Sequence, residues 1–177
     1  MERFDIHTAP LEIERKFLIE YPDIERLSRM PDYHVEHLEQ SYLDAHGELR
    51  GGRIRRVETE LSTTYYYTYK EHITDVTRRE YERKISEQEY RALLSHRAPG
   101  THTIQKDRHV FCYSGLTYEL DVYDFWDDRA TLECEVDSEE TEIPIPPCVT
   151  LIREVTHDRR YHNSRLAVSH LIEITEP

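Results

Sequence analysis

Hydrophobic and polar positions alternate with a period of two along most of the chain, which is typical of strands whose two faces meet different surroundings. Short turn-like connections such as His46-Gly47 and Ser114-Gly115 predict that successive strands are antiparallel neighbours. Eight strands, a number that can close into a barrel, are predicted: Leu11–Ile19, Glu36–Asp44, Gly52–Val57, Thr64–Lys70, Thr77–Ile85, Thr103–Phe111, Leu116–Tyr123 and Thr131–Asp137.

Three helices interrupt this pattern, at Asp23–Met30, Ser86–Arg97 and Ser164–His170. Ser86 and Glu89 have the spacing of a capping box. Asn163 is expected to cap the last helix. The pattern as a whole predicts one mainly β (α+β) domain over residues 1–177, with a few flanking helices.

Composition narrows the class of protein. The 177 residues fit one domain. The formal net charge of −13 disfavours binding to DNA through bulk charge. No stretch approaches the roughly 20 apolar residues of a membrane span, and the first residues lack an apolar signal core. Three cysteines without metal-ligand spacing indicate reduced thiols, so we expect a cytoplasmic protein that contacts neither DNA nor a membrane.

Charged residues recur at alternate positions on one face of most predicted strands, whereas the opposite faces are largely apolar or aromatic. Arg15, Arg79, Arg83 and Asp107 interrupt that contrast. Two arrangements fit: the charged faces point to solvent around an ordinary core, or they line the inside of a closed barrel. The charged positions are Glu12, Glu14, Lys16, Arg53, Arg55, Lys70, Glu80, Glu82, Lys84, Lys106, Arg108, Glu119, Asp121, Glu133 and Glu135.

The distribution of sign favours the second arrangement. Acids pair with acids on four strands, and bases pair with bases on two. Like charges about 7 Å apart repel by roughly 2 kcal/mol at an effective dielectric constant near 20. Divalent cations relieve the repulsion between acids, and a polyanion relieves it between bases. The pattern therefore predicts a site for metal ions and polyphosphate.

An ExExK motif, Glu12-Ile13-Glu14-Arg15-Lys16, opens the first strand and resembles the signature of the CYTH superfamily, the triphosphate tunnel metalloenzymes. The resemblance extends over almost the whole chain. Near the C-terminus, the sequence is similar to that of the short bacterial inorganic triphosphatases. It implies a closed eight-stranded antiparallel β-barrel that forms a tunnel. Motifs in the expected order are Leu38–Leu43, Arg53-Ile54-Arg55, Thr68-Tyr69-Lys70, Arg79–Glu82, Lys106-x-Arg108, Glu119-Leu120-Asp121, Glu133-x-Glu135 and Glu154–Thr156 with Asp158, Arg160-Tyr161 and Asn163.

The resemblance also implies residue roles and cofactors. Two Mg²⁺ or Mn²⁺ ions per site are expected, with Glu12, Glu14, Glu133 and Glu135 as ligands and Glu80, Glu82 and Asp121 assisting them or orienting water. Lys16, Arg53, Arg55, Lys70, Lys106 and Arg108 would bind the triphosphate. Glu14 or Glu82 would accept the proton of the attacking water, and Lys106 would stabilise developing charge.

The implied activity is metal-dependent hydrolysis of inorganic triphosphate. Alternatives are a thiamine triphosphatase or an adenylate cyclase of class IV type, although no clear nucleobase pocket is visible in the sequence. A polyphosphate- or nucleotide-binding module without catalysis is a further alternative, but binding alone would need the bases more than the full set of acids. An apolar outer wall could serve as the interface of a homodimer.

Overall fold

The computed structural model describes residues 11–46, 49–72, 77–138 and 140–170, without the side chains of residues 11, 12, 46, 49, 50, 71, 72, 77 and 78. All eight predicted strands are confirmed within a few residues of their predicted ends. A ninth strand, near the C-terminus, was not predicted. The strands are β1 (Leu11–Glu20), β2 (His34–His46), β3 (Leu49–Glu58), β4 (Thr63–His72), β5 (Thr77–Ile85), β6 (Ile104–Tyr113), β7 (Leu116–Tyr123), β8 (Arg129–Val136) and β9 (Leu151–Glu154).

The strands form one antiparallel sheet in the order β5-β4-β3-β2-β6-β7-β8-β1-β9. β1 contributes to three pairings, because its first residues also pair with β5 at Leu11–Arg79, Glu12–Arg78 and Ile13–Thr77. Further along the same strand, Phe17, Leu18 and Ile19 pair with β9. The mainly β class is thus confirmed, whereas closure of eight strands into a complete barrel stays a prediction.

The apolar faces of the strands form the core. Phe17, Leu120 and Leu132 are buried in one cluster, and Ile54 and Tyr67 in another. Phe17, Leu120, Leu132 and Ile54 each have a charged neighbour in sequence, so burial of the apolar face places the charged face on the opposite side of the sheet. Alternation alone therefore directs the charged side chains of β1, β3, β4 and β8 to a common side.

Three short helices and a 3-10 turn flank the sheet: α1 (Ile24–Leu27), α2 (Glu87–Leu94), the 3-10 helix (Arg159–Tyr161) and α3 (Asn163–Leu166). The hydroxyl of Ser86 accepts a hydrogen bond from the Glu89 amide, so the predicted N-cap is confirmed. The prediction for Asn163 was wrong: it is the first residue of α3, and its side chain accepts a hydrogen bond from the Tyr123 hydroxyl at 2.7 Å. Within the described ranges, no helix is long and apolar enough to cross a membrane.

Candidate active site

The charged faces of seven strands converge on one cavity of about 490 Å³. The charged faces thus line a cavity, as the second of the two arrangements predicts, whereas the closed barrel of that arrangement stays a prediction. The volume lies in the range of small-molecule sites. Its charged lining consists of five basic residues, Lys16, Arg53, Arg55, Lys70 and Arg108, and six acidic residues, Glu14, Glu80, Glu82, Glu119, Glu133 and Glu135.

The basic side chains are paired with acidic side chains across the cavity wall. A ligand phosphate must therefore compete with carboxylates for these cations. The pairs are Lys16 Nζ–Glu133 Oε1 at 2.7 Å, Arg53 Nη2–Glu80 Oε1 at 3.3 Å, Arg55 Nη2–Glu82 Oε2 at 2.5 Å, and Lys70 with Glu80.

Glu80 and Glu133 are held ionised by these partners. Burial by itself would raise the pKa of Glu80, but Arg53 and Lys70 outweigh it and lower the pKa to about 2. Burial likewise opposes ionisation of Glu133, yet Lys16 and Arg108 hold its pKa well below the usual range. Each of these carboxylates thus stays negative in the neutral pH range, lying between two cations.

Glu14 and Glu135 face each other in a different way. They are directly opposed in the β1–β8 register, and the next inward pair is Lys16 opposite Glu133. Burial, followed by the charge of Glu14, raises the pKa of Glu135. Directly opposed like charges destabilise a sheet, and two carboxylates are oxygen donors of the kind that Mg²⁺ and Mn²⁺ prefer. The donor chemistry of this pair therefore fits a hard divalent cation.

Lys106 and Asp121 do not line the cavity, although the sequence placed both in the site. Asp121 has no exposed surface; it contacts Lys106 and accepts from Arg108 Nε and Nη2, both at 2.8 Å. Burial and the neighbouring Arg108 lower the pKa of Lys106 to about 8, against the effect of Asp121. The carboxylate of Asp121 is therefore already occupied by two cations behind the wall that Arg108 helps to form.

Arg108 connects this buried pair to the cavity, where it contacts Glu119 and lies 3.1 Å from Glu133 through Nη2. The Glu119-Leu120-Asp121 motif is recognisable in the sequence, but only Asp121 was predicted to have a role in the site. Strand alternation had put both acids on the inward face. The two residues differ in their position along β7, which the spacing does not reveal. Glu119 therefore lines the cavity, whereas Asp121 is buried.

Several uncharged lining residues were not predicted. Tyr42 comes from β2, and Thr156, His162, Asn163 and Ser164 come from the C-terminal segment. The backbone amide of Lys16 donates to Thr156 Oγ1 at 3.0 Å, which fixes that segment beside β1. Thr156 had been noted only as part of a family motif and Asn163 as part of that motif and as a helix cap, so neither was predicted to line the cavity.

The predicted metal ligand Glu12 has its backbone in β1, but its side chain lies outside the described residues. Among the side chains that are described, no group of three or more Asp, Glu, His or Cys is arranged to hold a metal ion. A three-carboxylate site with Glu14 and Glu135 would thus need a third donor, and the ExExK spacing puts Glu12 on the same face as Glu14.

Comparisons with known proteins agree with this architecture. The CYTH domain family model matches residues 10–144. Two structures of NE1496, one described as an inorganic triphosphatase, are 31% and 30% identical with a TM-score of 0.57, and they cover 89% of this chain and 98% and 95% of their own. Comparison with curated proteins finds no significant match.

More distant structures share the fold. PH1819 from Pyrococcus horikoshii OT3 is 21% identical over 72% of this chain and 80% of its own, with a TM-score of 0.55. HpAC1 from Hippeastrum, described as having a dominant triphosphatase activity, is 18% identical over the same shares, with a TM-score of 0.51.

Proposed function

The chain belongs to the CYTH domain family, and from that premise we propose that it is a divalent-metal-dependent enzyme that hydrolyses inorganic triphosphate in the charged cavity. The observation that carries the proposal is the convergence of five basic and six acidic side chains on one cavity. The 30% identity to the inorganic triphosphatase NE1496 supports the choice of substrate.

The basic residues would bind the phosphate chain. Arg53 and Lys70 share Glu80, and Arg55 holds Glu82, so these cations already point into the cavity from neighbouring strands. A triphosphate oxygen that replaces a carboxylate keeps each cation paired, and fixed cations stabilise charge on equatorial and leaving oxygens in the transition state. Lys106 would support this charge through Asp121 and Arg108 from behind the wall.

The opposed carboxylates Glu14 and Glu135, with Glu12, would hold the cation, Mg²⁺ or Mn²⁺. When bound, a divalent cation neutralises phosphate charge and makes water a better nucleophile. Glu14 and Glu82 are the proposed acceptors for the proton of that water, because both line the cavity. The remaining acids, Glu80, Glu133 and Asp121, each lie between cations and would keep those cations oriented.

The β1–β5 pairing supports closure of the first eight strands into a tunnel. Two cations per site, a cytoplasmic location and a homodimer stay predictions.

Phosphate release from tripolyphosphate, thiamine triphosphate and ATP, measured with Mg²⁺ and with Mn²⁺ beside a cyclic-AMP assay, tests the proposal. We expect tripolyphosphate to be the best substrate and EDTA to abolish turnover. Arg53→Met should lower kcat/KM about 100-fold or more, whereas the control Arg91→Met, on the exposed face of α2, should not change it. Three results would contradict the proposal. Phosphate release from thiamine triphosphate alone would indicate a thiamine triphosphatase, and formation of cyclic AMP would indicate an adenylate cyclase. Binding without turnover would indicate a binding module.

A further inference from the structure

Arg15 is a charged residue on the otherwise apolar face of β1, where it interrupts the contrast between the two faces. Its partner is Glu154 on β9, which it binds in a bidentate ion pair, with Nε–Oε1 at 2.5 Å and Nη2–Oε2 at 2.8 Å. The guanidinium also lies 5.8 Å from the centre of the Phe17 ring. The hydrogen bonds from Arg15 hold the pKa of Glu154 below its ordinary value, so this carboxylate is ionised at neutral pH.

The same carboxylate also binds a residue of the cavity wall, Thr156. Glu154 Oε1 accepts a hydrogen bond from the Thr156 hydroxyl at 2.6 Å, and the oxygen of that hydroxyl accepts from the Lys16 amide at 3.0 Å. The other acceptor for the hydroxyl proton, the Lys16 carbonyl, is farther away at 3.3 Å. Glu154 therefore draws the proton of Thr156 towards itself and leaves an oxygen lone pair facing the Lys16 amide.

Lys16 lies where one edge of β1 has no neighbouring strand. β8 pairs along the other edge, while on this edge β5 pairs at residues 11–13 and β9 at residues 17–19, so within the described ranges neither of them pairs with residues 14–16. The Lys16 amide binds Thr156 instead, and the Lys16 carbonyl accepts from the Val155 amide at 2.8 Å. Residues 155 and 156 therefore set the backbone position of Lys16 on this edge.

The side chain of Lys16 extends into the cavity, where Nζ lies 2.7 Å from Glu133 Oε1. We propose that Arg15 and Glu154 are positioning residues, which hold the Thr156 hydroxyl and through it place Lys16 where its ammonium contacts a phosphate oxygen of the triphosphate. The inference rests on the proposed function for the identity of the ligand. It gives an ion pair outside the cavity an effect on binding inside it.

Glu154→Gln tests this role, because it keeps the size of the side chain but sets an amide NH₂ against the donors of the guanidinium or of the hydroxyl. We expect the affinity for tripolyphosphate, measured by calorimetric titration, to fall about 10-fold, as for the loss of one hydrogen bond to a charged group.

The control Glu89→Gln changes a similar ion pair elsewhere in the sheet. Arg83 Nη2 lies 2.5 Å from Glu89 Oε1, and the guanidinium lies 5.5 Å from the centre of the Tyr67 ring. Neither Arg83 nor Glu89 lines the cavity, so the control should leave the affinity for tripolyphosphate unchanged. An equal loss of affinity in both variants would overturn the specific role of Glu154.

Exchange of the two charges, Arg15→Glu with Glu154→Arg, separates positioning from stability. The exchanged side chains have opposite charges again, but position 154 then offers no acceptor to the Thr156 hydroxyl. We expect the melting temperature to recover relative to Glu154→Gln, while the affinity for tripolyphosphate stays about 10-fold below that of wild type. Recovery of both would overturn the route through Thr156, because the ion pair alone would then be sufficient.

Lys16→Met, alone and with Glu154→Gln, tests the last step. If Glu154 acts through Lys16, Glu154→Gln should have almost no further effect on affinity in the Lys16→Met background. The same loss of affinity in both backgrounds would contradict the positioning of Lys16.

The outcomes separate this inference from the proposed function. Binding without hydrolysis, with Glu154→Gln weaker and Glu89→Gln unchanged, supports the positioning role and overturns the triphosphatase. Hydrolysis with Glu154→Gln equal to wild type in affinity overturns the positioning role and leaves the triphosphatase in place. If wild-type protein neither binds nor hydrolyses tripolyphosphate, both are overturned.

Discussion

The role of an individual charged residue in this cavity depends on the charge that faces it. Strand alternation predicted which side chains share a face, and the distribution of sign favoured an inward direction for that face, as Lys16, Arg53 and Glu133 show by lining the cavity. It could not predict the partner of each, because pairing across strands depends on register. Glu119 and Asp121 are both acidic and lie two residues apart on β7, yet of the two only Glu119 lines the cavity.

The opposed pair Glu14 and Glu135 gives a first prediction. Glu135→Gln removes one of two facing negative charges, so the metal-free protein should melt at a higher temperature. The same change removes a proposed ligand, so the rise in melting temperature on adding Mn²⁺ should shrink and tripolyphosphate turnover should fall at least 10-fold. Thermal unfolding with EDTA and with Mn²⁺ measures both effects. A lower melting temperature in EDTA with an unchanged Mn²⁺ response would remove Glu135 from the metal site.

The buried position of Asp121 gives a second prediction, which decides between a metal ligand and a structural anion. Asp121→Asn leaves Lys106 and Arg108 without their shared carboxylate and should lower the free energy of unfolding by about 3–5 kcal/mol. Lys106→Met should cost less, because Arg108 still pairs with Asp121. Urea denaturation measures both variants. Unchanged stability of Asp121→Asn combined with a 10-fold weaker affinity for Mn²⁺ would instead establish Asp121 as a ligand.

At the scale of elements, the long alternating strands and the presence of the last helix were predictable, whereas β9 and the start of that helix were not. β9 has only four residues, two of them exposed, and it follows a proline-rich stretch, so it shows no clear alternation. α3 has four residues and no side-chain N-cap, and Asn163 forms a tertiary hydrogen bond instead. Elements this short depend on contacts with the sheet, which local pattern does not encode.

Attachment of the C-terminal segment to β1 gives a third prediction. Thr156 accepts from the Lys16 amide, and its hydroxyl donates to Glu154 at 2.6 Å. Thr156→Val leaves a buried amide without a partner and should cost about 1–3 kcal/mol of stability. Hydrogen exchange should become faster in residues 151–167, whereas the exposed control Thr63→Val should leave that segment unchanged. Faster exchange in β2–β4 alone would contradict the proposed attachment.

At the scale of the whole molecule, net charge and site charge are separate properties. The chain carries −13 overall, which would repel a free polyanion at long range. The charged lining of the cavity is nearly balanced, with five bases and six acids among the described residues. A triphosphate carried in with divalent cations brings less negative charge, and the acids that face one another can hold those cations. Composition alone predicted the repulsion, while the balanced lining required the fold.

The most direct test of the central claim is a crystal structure of the protein with Mn²⁺ and tripolyphosphate, in which anomalous scattering locates the manganese. The account predicts manganese beside Glu14 and Glu135, and phosphate oxygens in contact with Arg53, Lys70 and Arg108 inside the cavity. Manganese and phosphate bound only on the outer faces of the sheet, with the ion pairs Arg53–Glu80 and Lys16–Glu133 undisturbed, would contradict it.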